Sequence, residues 1–238
     1  RSRRVPVSVH ESGVGALAIE RIEPADMLET FTFLDEAPVI NVYLLAVLMR
    51  DALAPTRDEF WAARRGGRLA ALVMLGTGSG SVLPAGDDRA ALDRLAAHTV
   101  SRLAALPRRF QVIGGREAIA PFLNRCAEAG LPPRLEREQS YLVLDRGHLE
   151  PFEPLPRLRA ARADDRALMY ESGARLRAEE LDDDPRLSDP ETYARRVDEE
   201  CRDGLAFIWR EADALRFRAS VSARTADAAQ ISGVYTPP

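Results

Sequence analysis

Glu179 and Glu180 close a predicted helix, and carboxylates so placed can hold a cationic amine or relay a proton. Met169, Gly173, Leu176 and Glu180 share one helical face, which aims Glu180 toward the core side. Read plainly, the same pair is a solvated acidic turn running into Asp182, Asp183 and Asp184. A second candidate is Gly76-Thr77-Gly78-Ser79-Gly80, which invites a phosphate-loop reading. Its spacing matches neither G-x-G-x-x-G nor a Walker loop, so a turn is expected. His10, His98 and His148 are scattered without acidic partners at ligand spacing, and no metal site is expected. Cys126 and Cys201 form no C-x-x-C or Cys/His cluster and read as small core residues in a reducing, cytoplasmic setting.

Composition excludes more than it proposes. All 33 basic residues are arginine, so no lysine Schiff base, lysine general base or P-loop lysine belongs to this chain. A net charge of −4 argues against a nucleic-acid partner, whose footprint would be basic. No apolar run reaches the roughly 18 residues of a membrane span. The longest, from Val39 to Met49, is short and interrupted by Asn41. The 238 residues and 46% apolar content suit one large domain or two of about 100–120 residues.

The elements that must position these groups come from periodicity and punctuation. Residues 1–20 are weakly patterned and read as a tail or an irregular lead-in strand. Helices are predicted over 25–33, after Pro24, and following the Asp35-Glu36-Ala37-Pro38 start, running through Asn41, Leu44, Leu45 and Leu48. Gly66-Gly67 between residues 59–64 and 69–75 is a strong hairpin signal. A strand at 81–84, a helix over 87–106 capped by Asp87, a strand at 110–113, a helix over 117–129 and a strand at 140–144 follow. Pro151, Pro154 and Pro156 mark residues 147–156 as a linker. The same grammar then restarts: a strand at 158–161, helices over 164–181 and 190–202, and strands at 205–210, 215–222 and 229–236. Phe207, Trp209 and Phe217 alternate on these strands and read as core. The order helix, helix, hairpin, strand thus occurs twice, which predicts a tandem duplication of one α/β unit with a mixed sheet.

The C-terminal strands Leu205 to Arg210, Leu215 to Val221 and Gln230-Ile231-Ser232-Gly233-Val234-Tyr235-Thr236-Pro237-Pro238 resemble strands two to four of the GNAT superfamily of N-acetyltransferases. Over nearly its full length the chain resembles tandem members with an uncharacterised acetyltransferase-like N-terminal domain. Asp35, Pro38 and Asn41 carry a D-x-x-P-x-x-N pattern of that kind, and Gln230 to Val234 a Q-x-x-G-V strand. The resemblance implies a degenerate domain over 21–146 and the first part of an acetyltransferase domain over 157–238.

It also implies acetyl-CoA as cosubstrate, no metal, and direct attack by an amine on the thioester. The amine would belong to a small molecule or a protein, and the arrangement leaves room for a homodimer. Val234, Tyr235 and Thr236 would meet the cofactor through their main chains, while Glu180 or Glu179 would wall the amine pocket. The family's glycine-rich pyrophosphate loop should begin where the sequence ends, so the chain as given is expected to be inactive. In the first copy the matching place reads Ala85-Gly86-Asp87-Asp88-Arg89, whose carboxylates would repel a polyanion. The rival expectation is a non-catalytic pseudo-acetyltransferase that binds a ligand or a protein.

Overall fold

The structure, a computed structural model, describes residues 16–51, 53 and 58–237, and these hold two sheets that share no strand. In chain order the elements are β1 (Leu17–Arg21), α1 (Met27–Asp35), α2 (Val42–Asp51), β2 (Asp58–Arg65), β3 (Arg68–Gly76), β4 (Ser81–Ala85), α3 (Arg89–Ser101), β5 (Gln111–Val112), α4 (Arg116–Glu128), β6 (Arg159–Ala160), α5 (Arg166–Leu181), α6 (Pro185–Ser188), α7 (Pro190–Arg202), β7 (Ala206–Glu211), β8 (Ala214–Arg224) and β9 (Ala229–Tyr235). The chain divides into two compact units, Arg1–Phe33 with Leu53–Pro133 and Leu34–Ala52 with Arg134–Pro238. The fold class is α/β with one mixed and one antiparallel sheet.

The first sheet has the order β1-β2-β3-β4-β5, antiparallel except for the last pair. Gly66 and Gly67 take φ of +56° and +81° at its central hairpin, a turn whose twist matches the flanking strands. The apolar run of β3 is buried from Ala71 to Gly76. Val73, Leu75 and Val82 of the sheet pack with Leu92, Leu95 and Ala96 of α3 and Phe122 of α4. Gly130, at φ +81°, ends α4 as glycine ends helices generally. Arg64 is held at once by Glu20, Asp26 and Glu29, and these partners raise its pKa.

The second sheet runs β6-β7-β8-β9, antiparallel throughout. Asp184 and Asp189 cap α6 and α7, each accepting from a main-chain N–H of the first turn, and each helix begins with proline. Met169, Ala174, Tyr193, Val197, Ala206 and Ile208 form the core between α5, α7 and β7. Helix α2 packs against β8 and β9. Asn41 of the D-x-x-P-x-x-N pattern is structural: its Nδ2 donates to the Leu34 carbonyl at 2.9 Å, and its own carbonyl accepts from Leu45 N–H at 2.9 Å. That ties the end of α1 to the start of α2.

Several expectations are corrected. Residues 17–21 are a regular strand paired with β2, and residues 1–15 lie outside the described part. The helix predicted over 87–106 stops at Ser101, and its cap is Asp88 rather than Asp87. No strand forms at 140–144. Tyr141, Leu142, Val143 and Leu144 are 50–88% exposed, because strand propensity yields a strand only where a neighbour supplies the ladder. Phe207, Trp209 and Phe217 are half-buried on one face of the second sheet, and the fully buried face carries Ala206, Ile208, Arg218 and Ser220 instead.

Asp165, with a side chain 0% exposed, accepts from Arg159 at 2.6 and 3.0 Å, from Arg210 at 3.3 Å and from Arg162 N–H at 2.9 Å. The Arg159 bond leads in holding its carboxyl below the usual range, against the opposing effect of burial. Asp165→Asn should cost about 2 kcal/mol in urea unfolding, the value for a broken buried pair reduced because both arginines are partly exposed. Gly67→Val should cost about 1–2 kcal/mol in the same assay, since its left-handed backbone then carries a branched side chain.

Candidate functional site

β9 pairs with β8 on one side, and among the described residues no strand pairs its other side. A strand so placed presents main-chain donors and acceptors to whatever lies beside it. Its register is broken in a particular place. Ser220 lies opposite Ser232, but Arg218 lies opposite Tyr235, so β9 spends one residue more than β8 over this step. Gly233 sits there at φ +57°, the left-handed glycine that a bulge of this kind requires. Bulges bend a strand and re-aim its side chains, and here the following residues are Val234, Tyr235 and Thr236.

Those three residues divide by face. Val234 is 54% exposed and Thr236 is exposed, while Tyr235 is buried at 7%. Tyr235 turns inward and, with Leu168, Glu171, Ser172, Arg175, Leu215 and Pro237, lines a cavity of about 320 Å³. Thus the end of β9 and the first half of α5 share one hollow. Glu171 at its rim is paired with Arg186 at 2.6 Å.

Glu179 and Glu180 are not brought to that hollow. Both are exposed in the last turn of α5, so the buried face through Met169, Gly173 and Leu176 does not continue to Glu180. The helix ends immediately after, at Leu181, with Asp182 in a left-handed conformation at φ +50°, and the core contact ends with it. At about 1.5 Å rise per residue, Glu180 lies roughly 12 Å along α5 from Ser172.

Sequence reasoning missed two residues of this site. One is Gly233, for which a glycine inside a strand pattern is an available signal of a bulge. The other is Arg218, 4% exposed on the inner face of β8. No local signal marks it, since a strand arginine usually faces water.

The first unit offers no comparable opening at its helix start. Asp88 caps α3 by accepting from Ala91 N–H at 3.0 Å and also binds Arg65 at 2.9 Å. The Ala91 bond leads in holding its carboxyl low, with burial opposing and Arg65 assisting. A fixed carboxylate therefore occupies the place that would favour an anion. β4 and β5 pair only at Ser81–Gln111 and Val82–Val112 before parting. Gly76 to Gly80 is a tight connection from β3 to β4, closed by Gly80 N–H to the Gly76 carbonyl at 2.8 Å. Among the described residues no group of three or more His, Cys, Asp or Glu is placed to hold a metal, and no helix is long and apolar enough to cross a membrane. Burial raises the Cys126 and Cys201 thiols above their ordinary value.

Two solved structures are similar to this chain. A ribosomal-protein-alanine N-acetyltransferase from Brucella melitensis biovar Abortus 2308 is 15% identical, with 54% of this chain and 99% of that chain covered and a TM-score of 0.29. A tandem GNAT protein from the clavulanic acid biosynthesis pathway is 17% identical, with 87% of this chain and 74% of that chain covered and a TM-score of 0.39. No protein-family model and no curated protein matches the sequence.

In the first unit, His98 lies against Trp61, ring centroids 4.1 Å apart, and Arg102 stands 5.6 Å over the same Trp61 ring. Burial lowers the His98 pKa, and Arg102 pushes the same way against the pull of Glu59. The unfolded imidazole titrates near pH 6.5, so as pH falls the unfolded chain takes up the proton first. Stability is then full above about pH 6.5 and declines below it until the folded imidazole also protonates. His98→Leu should flatten the fall in urea midpoint between about pH 7 and 5. An unchanged slope would overturn the assignment.

Proposed function

We propose that this protein is an acyl-CoA-dependent N-acyltransferase that moves acetyl from acetyl-CoA to an amine. One observation carries the reading: β9 is paired on one side, bulged at Gly233, and bordered at its end by the Tyr235 cavity. A pantetheine arm is an extended chain with amide groups, and an unpaired strand edge suits it as it suits an added β-strand. The residues present fit such a ligand. The main chain of Val234, Tyr235 and Thr236 supplies donors and acceptors, and the hollow beyond Tyr235 gives room for an acyl group and its acceptor.

When bound, acetyl-CoA supplies a thioester whose carbonyl carbon is open to attack. The amine nitrogen bonds to that carbon and the carbon–sulfur bond breaks, so the products are an N-acetyl amine and a free thiol. A β9 N–H beside the carbonyl oxygen would stabilise the negative charge that gathers there. Holding amine and thioester in one hollow replaces an encounter in solution by an oriented contact. The proton released by the amine passes to water or to a carboxylate, and the leaving thiolate takes one up from water. Glu179 and Glu180, exposed at the end of α5, suit capture of a cationic acceptor better than proton transfer at the thioester. The first unit, whose α3 start is closed by Asp88 and Arg65, is assigned a supporting rather than a catalytic role.

Acetyl-CoA titrated into the full-length protein should slow amide exchange at residues 229–236 by about tenfold at saturation, with a matching calorimetric signal. No heat and unchanged exchange along β9 would overturn the proposal. Binding without thiol release across a panel of amines would favour the non-catalytic rival.

A further inference from the structure

The buried face of β8 carries a charged group that stability alone does not explain. Arg218 is 4% exposed, and among the described residues it is the buried basic side chain. Its Nη1 donates to the Met169 carbonyl at 2.8 Å and to Ser172 Oγ at 3.3 Å, both on α5. Its Nη2 donates to Ser220 Oγ and to Glu200 Oε2 of α7, at 3.3 and 3.4 Å. Ser220 Oγ in turn donates to Glu200 Oε2 at 3.4 Å. The Nε is enclosed without a hydrogen-bond partner.

Space has been cleared for this group. A Cβ at Gly173 would come within 2.7 Å of Nη1 and 2.5 Å of the Tyr193 hydroxyl, so any side chain there would displace both. That hydroxyl donates to the Tyr170 carbonyl at 2.7 Å, and burial pushes its pKa up to about 12. It therefore stays neutral beside the guanidinium. On its other side the guanidinium reaches the bulge: a Cβ at Gly233 would lie 3.7 Å from Ser220 Oγ and 4.0 Å from Arg218 Nη2.

A buried cation whose carboxylate stands at 3.4 Å, with one nitrogen unpaired, is a poor source of stability. Apolar replacement of such a pair as a whole is often neutral or stabilising. What the planar fork does well is fix several acceptors in one geometry, which neither lysine nor methionine can. Here the acceptors belong to α5, α7 and the strand beneath the bulge.

We propose that Arg218 is a positioning residue that sets the β9 bulge, and through it the open edge at Val234 to Thr236. The proposal rests on the acyl-CoA reading of that edge only for its effect on binding; the effect on the bulge stands without it. Arg218→Met combined with Glu200→Gln, which leaves no unpaired charge behind, should keep the thermal midpoint near that of the wild type while amide exchange at residues 231–236 rises about tenfold. In the same variant the acyl-CoA Kd or KM should rise about tenfold or more, with kcat much less affected. Arg218→Lys should not rescue either readout. Ser220→Ala, which removes one contact and leaves the charge, should shift both in the same direction by less, and it decides the matter should the double variant fail to fold.

Unchanged exchange at 231–236 in a folded Arg218 variant would overturn the proposal, as would exchange that rises only in step with a fall in overall stability. If the wild-type protein binds no acyl-CoA, the functional reading fails. The exchange comparison then still judges Arg218.

Discussion

Every main-chain N–H and C=O removed from water must find a partner. Most of this chain meets that demand by hairpins and helices, and the second unit is organised around the place where it is left open. β9 satisfies one of its sides through β8, and among the described residues no strand pairs the other. The Gly233 bulge is what allows this without collapse of the register, since the left-handed residue takes up the extra length. Beneath it the guanidinium of Arg218 ties the same spot to two helices. The core there is accordingly small and polar where a sheet–helix contact would ordinarily be large and apolar.

The two units answer the same constraint in opposite ways. In the first, β4 has a short parallel neighbour in β5, and α3 starts on its own Asp88, bound in turn to Arg65. Charge and backbone donors are satisfied internally, which leaves little for an anion to gain. In the second, the edge strand has no such neighbour among the described residues, and its end opens on a hollow beside α5. Duplicated architecture therefore need not mean duplicated function, because a fold supplies a scaffold and the chemistry depends on which groups remain unpaired.

How much of this was legible in the sequence follows from the range of each signal. The Gly66-Gly67 hairpin, the end of α4 at Gly130, the span of α7 and the three final strands are set by neighbours a few residues apart, and the structure places them as read. Residues 140–144 show the limit: Tyr141 to Leu144 have the composition of a strand, but a ladder needs a second strand, and none stands beside them. The aromatic residues of β7 and β8 show another. Alternation identifies two faces of a strand, and only the helices that cover one of them decide which is the core.

The candidate site divides along the same line. By itself the sequence determined the α/β class, the repeated order of elements, the exclusion of lysine chemistry and the position of Val234, Tyr235 and Thr236 at the end of a strand. Each of these follows from residue type or from contacts short in sequence. Only the tertiary structure decided that Glu180 faces water, that Arg218 is buried, and that its fork reaches α5, α7 and the bulge together. Those are contacts between residues 18 to 49 positions apart. No periodicity encodes them, because they exist only once the sheet and its helices have packed.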